Sequence, residues 1–127
     1  MILLDTNIII DFWKSHGDAV AEVLRRSDVY ICGVTLAELM QGALDAKDCE
    51  QIRARVGKFT GLNVTDEDWA SLGRNLYLLR KAGTRVPFQD ALLATMAIQH
   101  EMELWSFDGH FPMIQAVLPE LKLFTMP

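Results

Sequence analysis

Four carboxylates, Asp5, Glu38, Asp90 and Asp108, stand where metal-dependent chemistry would need them. Asp5 ends the apolar run Met1-Ile2-Leu3-Leu4, and Asp108 closes the similar stretch Glu103-Leu104-Trp105-Ser106-Phe107. No lysine or arginine accompanies either one. Hard divalent cations take oxygen ligands, and Mg²⁺ keeps several waters while binding one or two carboxylates. Acids crowded without a cation repel one another and hold their protons more tightly. A bound cation relieves that repulsion and admits phosphate oxygens to an otherwise negative pocket. These residue types therefore point to a divalent-metal site.

Each acid also has a plainer use. Asp5, Asp90 and Asp108 stand where a helix cap or first-turn acid would stabilise a helix by ~1 kcal/mol. Glu38 lies too deep in Thr35-Leu36-Ala37-Glu38-Leu39-Met40-Gln41-Gly42 to cap anything. Its plainer use is a narrow solvent stripe shared with Thr35 and Gln41. Gly42, one turn later on that face, leaves space that a ligand could use.

The elements that must gather these acids alternate in type. Short strands are expected over 1–4, Val29–Cys32, Leu62–Val64, 103–106 and Leu121–Phe124. Between them the spacing predicts helices over Ile8–Trp13, Asp18–Arg26, Val34–Leu44 and Asp48–Lys58. Further helices are expected from Thr65 to Ala82, from Phe88 to Glu101 and over 110–117. Thr65 with Asp68 three residues on reads as a capping-box-like pair, and Gly83 as a stop. Strands separated by helices give an α/β fold, a three-layer sandwich around a mainly parallel sheet of five strands. Right-handed crossovers would set every strand's carboxyl end on one edge, where ligands bind in such sheets. All four acids can reach that edge. Strand order is not readable from periodicity.

Four blocks of the chain resemble those of PIN-domain ribonucleases, in particular the VapC-type toxins of toxin–antitoxin pairs. They are Leu4-Asp5-Thr6-Asn7 with Asp11, Val34-Thr35-Leu36-Ala37-Glu38-Leu39 with Gly42, Asp90-Ala91-Leu92-Leu93-Ala94 with Ala97, and Ser106-Phe107-Asp108 with Phe111. The resemblance spans nearly the whole chain and implies one PIN-like domain over residues 1–127 with a parallel five-stranded sheet. It implies an endoribonuclease dependent on Mg²⁺ or Mn²⁺ and neutralised by a cognate antitoxin protein. Asp5, Glu38, Asp90 and Asp108 match the acidic quartet, expected to be both catalytic and metal-binding. Asn7 and Ser106 match supporting polar positions and are expected to contact substrate. Activated water would attack a backbone phosphorus in line, leaving a 5′-phosphate and a 3′-hydroxyl. Ser106 stands where threonine is commoner and keeps the hydroxyl, whereas Phe88-Gln89 is bulkier than usual before Asp90. The resemblance also implies a homodimer. Leu36, Leu39, Met40, Leu44, Leu72, Leu76 and Leu79 exceed what one side of a small sheet needs, although a generous core would also use them.

Composition narrows the class further. A chain of 127 residues, half of them hydrophobic, is one domain able to bury about two-thirds of its unfolded surface. No apolar run approaches the ~20 residues of a membrane span, and no signal-peptide pattern is visible. Cys32 and Cys49 form no metal-knuckle spacing and fit free thiols in a reducing cytoplasm. The net charge of −5 argues against a nucleic-acid coat protein. Residues 51–85 nevertheless hold seven basic and three acidic side chains (Arg53, Arg55, Lys58, Arg74, Arg80, Lys81, Arg85). That flank suits a phosphodiester backbone, or is simply the solvated face of helices.

His16, His100 and His110 share no ligand spacing, and only His110 falls near the acids. Trp13, Trp69 and Trp105 are expected in the core rather than stacked on bases. No nucleophile elbow and no phosphate-cradling glycine loop occur. Three other readings compete. A phospho-accepting signalling domain also clusters acids at strand ends, but Lys122 is poorly placed for its required lysine. A silent binding module need not keep the quartet. An RNA-processing PIN nuclease would need no antitoxin.

Overall fold

The computed structural model describes all of residues 1–127. Five short strands, β1 Ile2–Leu4, β2 Val29–Cys32, β3 Thr60–Leu62, β4 Glu103–Trp105 and β5 Lys122–Leu123, form one sheet. Every pairing is parallel and the order is β3-β2-β1-β4-β5. Parallel neighbours need crossovers, which seven helices supply: α1 Thr6–Ser15, α2 Asp18–Leu24, α3 Gly33–Gln41, α4 Ala46–Val56, α5 Asp66–Lys81, α6 Phe88–Gln99 and α7 His110–Val117.

Side chains alternate across each strand, and the two cores divide accordingly. Ile2 and Leu4 pack with Ile8, Ile9, Leu39, Ile52 and Val56 under α1 to α4. Leu3 points the other way, joining Leu72, Leu79, Leu93, Met96 and Ile114 from α5 to α7. In β4 the same alternation sends Trp105 to the first core and Leu104 to the second. The result is the three-layer sandwich. With both faces covered, the central strand is apolar throughout.

Topology chooses where a ligand can enter. From β1 the chain proceeds to β2 and β3 on one side, then crosses to β4 and β5 on the other. The strand order therefore reverses between β1 and β4, and a crevice opens beyond the carboxyl ends of those two strands. Asp5 directly follows β1, and Ser106 directly follows β4.

Several local expectations needed correction. β3 begins at Thr60, two residues before the expected start, because Thr60, Gly61 and Leu62 pair with Tyr30, Ile31 and Cys32. It is an edge strand with two exposed residues, so it carries no alternation to read. α3 stops at Gln41 rather than Leu44, with Gly42 as its cap, and Leu44 is 92% exposed. α4 starts early because the Asp45 side chain accepts the Asp48 amide at 2.7 Å. Trp105 is buried as expected, but Trp69 is half exposed on α5. No helix is long and apolar enough to cross a membrane.

Candidate active site

Asp5 is 6% exposed and has two tasks. Its Oδ1 accepts the Thr6 amide at 2.7 Å as the N-cap of α1, and its Oδ2 accepts the Ser106 hydroxyl at 2.6 Å. Ser106 Oγ in turn accepts from Asn7 Nδ2 at 3.1 Å and from the Asp108 amide at 3.0 Å. Asn7 Oδ1 accepts the Phe107 amide at 3.1 Å. A polar seam thus joins the ends of β1 and β4 and fixes the Asp5 carboxylate. Both functional groups of Asn7 and the Ser106 hydroxyl are spent on it.

Asp90 lies in the first turn of α6, yet that helix has Pro87 at its N-cap and no side-chain cap. The Asp90 carboxylate, 7% exposed, bonds instead to His110, with Nδ1 2.9 Å from Oδ2. Helix capping does not account for it. Asp108 makes a local turn, its Oδ1 accepting the His110 amide at 2.9 Å, and lies 3.1 Å from His110 Nδ1. Glu38, on α3, is half buried. The solvent stripe suggested for it does not exist, because Thr35 is fully buried with its hydroxyl toward Leu4 O at 3.4 Å.

Electrostatics tie the acids together. Burial raises the proton affinity of Asp5 above the usual carboxylate range, the Ser106 and Thr6 hydrogen bonds pull it back, and the Asp108 charge adds to the rise. Asp90 is likewise raised by burial first, opposed by its bond to His110, and raised again by Asp5 and Asp108. Glu38 is raised by burial, then by Asp5 and Asp90. The Thr6 hydroxyl, buried without a hydrogen bond of full geometry, offsets part of that rise. His110 holds its proton more tightly than usual, chiefly through Asp90. Four carboxylates from four chain segments therefore share one field at the switch point.

That donor set fits a divalent cation. Asp90, Asp108 and His110 offer ligand atoms within 4.8 Å of one another. A cation would cancel the mutual repulsion that adds to burial at Asp5, Glu38 and Asp90. Sequence reasoning passed over His110 as part of this cluster; its one signal was its position two residues beyond a strand-end aspartate. Asp11, by contrast, is exposed on α1 and away from the cluster's bonds.

The basic flank is mostly engaged. Arg53 lies 3.9 Å from Glu50 and Arg74 3.3 Å from Glu67. Arg55 stacks over Trp13 at 5.5 Å, and Arg80 over Tyr77 at 5.7 Å. A cavity of about 510 Å³ between the end of α5 and the following loop is lined by Arg80, Thr84, Arg85 and apolar neighbours.

The family model described as PIN domain matches residues 2–116. Among solved structures, a chain of the VapBC2 complex from Rickettsia felis, bound to a promoter DNA fragment, superposes with a TM-score of 0.80 at 24% identity, covering 98% of each chain. A chain of DNA-bound VapBC from Salmonella typhimurium gives 0.82 at 23% identity, over 97% of this chain and 96% of that one. VapC20 of Mycobacterium tuberculosis, described as a sarcin–ricin loop cleaving toxin, gives 0.63 at 17% identity over 89% and 94%. Likeness at these identities is likeness of fold. No curated protein matches the sequence.

Proposed function

The chain belongs to the PIN domain family, and from that premise we propose that it is a divalent-metal-dependent endoribonuclease, the toxin of a toxin–antitoxin pair. One observation carries the reading: acids from the ends of β1 and β4 and from α3 and α6 meet in one field where the strand order reverses. The structural relatives support it, since one is described as cleaving the sarcin–ricin loop and others as toxin–antitoxin assemblies.

Asp5, Asp90, Glu38 and Asp108 would hold Mg²⁺ or Mn²⁺. When bound, the cation supplies a Lewis acid that activates water and neutralises charge gathering on the phosphoryl oxygens. The chain's own groups do the positioning. Ser106 and the Thr6 amide hold both oxygens of Asp5, so its direction is fixed before substrate arrives. Asn7 links the two strand ends. A substrate contact through Asn7 or Ser106 exchanges one of these bonds for a bond to RNA. Glu38, held to the cation directly or through water, would orient the attacking water.

The protein acts in the cytoplasm in this reading, where Cys32 and Cys49 stay as free thiols. An antitoxin whose tail carries an arginine or lysine would compete with the cation for the carboxylates. The test is cleavage of an end-labelled structured RNA. Internal cuts should appear with Mg²⁺ or Mn²⁺ and vanish in EDTA; the same fragments in chelator would refute the reading.

A further inference from the structure

His110 belongs to none of the four sequence blocks, yet it is the side chain that joins Asp90 to Asp108. Its Nδ1 lies 2.9 Å from Asp90 Oδ2 and 3.1 Å from Asp108 Oδ1. The placement is built in by three local features. Asp108 Oδ1 accepts the His110 amide, which turns the chain into α7. The next residue, Phe111, is buried to 1% exposure and anchors that turn. Asp90 then meets the ring from the opposite helix, α6.

We propose that His110 is a nitrogen ligand of the metal site, and that it tilts the site toward Mn²⁺ and other transition ions over Mg²⁺. The proposal rests on the reading of Asp90 and Asp108 as metal-binding. Its geometry is suitable: adjacent ligands of an octahedral ion with bonds of about 2.1 Å lie roughly 3 Å apart. The two separations at Nδ1 match that edge. Without an ion Nδ1 donates to Asp90; an ion entering between them would displace that proton, and Nε2, which makes no hydrogen bond to the protein, would carry the ring's remaining one. Imidazole is a poor partner for Mg²⁺, which demands oxygen, and a better one for later divalent ions. An all-carboxylate site has less of that bias.

Two measurements on the full chain test this. Pulsed EPR of the Mn²⁺-loaded protein should show coupling to a directly ligated nitrogen, absent in His110→Asn. Calorimetric titration should show the Mn²⁺-to-Mg²⁺ affinity ratio falling roughly tenfold in that variant. The His110 side chain is 38% exposed, so the substitution disturbs no core. Mn²⁺ binding without nitrogen coupling, or equal loss of both ions in the variant, overturns the proposal and leaves the carboxylate site standing. Failure of the wild-type chain to bind either ion overturns both.

Discussion

Asp90 is the most diagnostic single residue, because it stands in the first turn of α6 yet caps no amide there. It bonds to no backbone amide of α6 and reaches across to His110 instead. Asp5 is harder to read, being cap and candidate ligand at once. In the sequence the position of each, after a strand or a turn, suited a cap as well as a ligand, and the resemblance of the four blocks singled them out. His110 was singled out only for its nearness to Asp108; its bond to Asp90, twenty residues away, has no spacing to recognise. The raised carboxylates also make a pH prediction. In Asp5, Glu38 and Asp90 the folded state binds protons more tightly than the unfolded chain. Their contribution is present at low pH and lost as pH rises from about 4 through their folded values. Asp28 works oppositely, held at about 2 by the Arg26 hydrogen bond, so its contribution is complete above the ordinary carboxylate range. Calorimetry of metal-free protein should therefore show Tm falling as pH is raised from about 4 toward neutrality, with a shallower slope in Asp90→Asn. Mg²⁺ at a hundred times its Kd should return about 2.7 kcal/mol at pH 7.5. A Tm that rises across that interval would contradict the shared-field account.

Among the elements, α5 was the most legible. Thr65 Oγ1 accepts the Asp68 amide at 3.1 Å, Asp68 Oδ2 accepts the Thr65 amide at 2.9 Å, and Gly83 follows at φ +72°. These signals are local, so the chain shows them without knowledge of neighbours. Asp68 also meets His100 at 3.1 Å, tying the start of α5 to the end of α6. The start of β3 was not legible, because an edge strand takes its register from its partner rather than from its own pattern. Thr65→Ala should cost about 1 kcal/mol in urea unfolding while leaving RNA cleavage per folded molecule unchanged. A loss of cleavage beyond the unfolded fraction would show that α5 shapes the site.

For the whole molecule, alternation announced two covered sheet faces, but strand order had no sequence signal. That order matters most, since the reversal between β1 and β4 makes the crevice. The apolar surplus proved smaller than expected: Leu39, Leu72 and Leu79 are buried, Leu36, Met40 and Leu76 pack at the core's margin, and only Leu44 is open. Trp69, Tyr77 and Leu78 leave exposed apolar surface on α5 instead. The proposed toxin reading carries with it a homodimer bound by an antitoxin. Light scattering at tens of micromolar should give twice the chain mass of 14.3 kDa; a strict monomer there would remove the dimer from the account.

The most direct test of the central claim is the single-turnover rate of internal RNA cleavage by Asp90→Asn beside the wild-type chain, both in saturating Mn²⁺. The substitution keeps the size of a side chain that caps nothing, and far-ultraviolet circular dichroism can verify the fold of each sample. If the carboxylates hold the metal that drives hydrolysis, cleavage should fall by roughly a hundredfold or more, the ~3 kcal/mol scale of a lost transition-state interaction. A folded Asp90→Asn protein that cuts the same RNA at the wild-type rate would contradict the account.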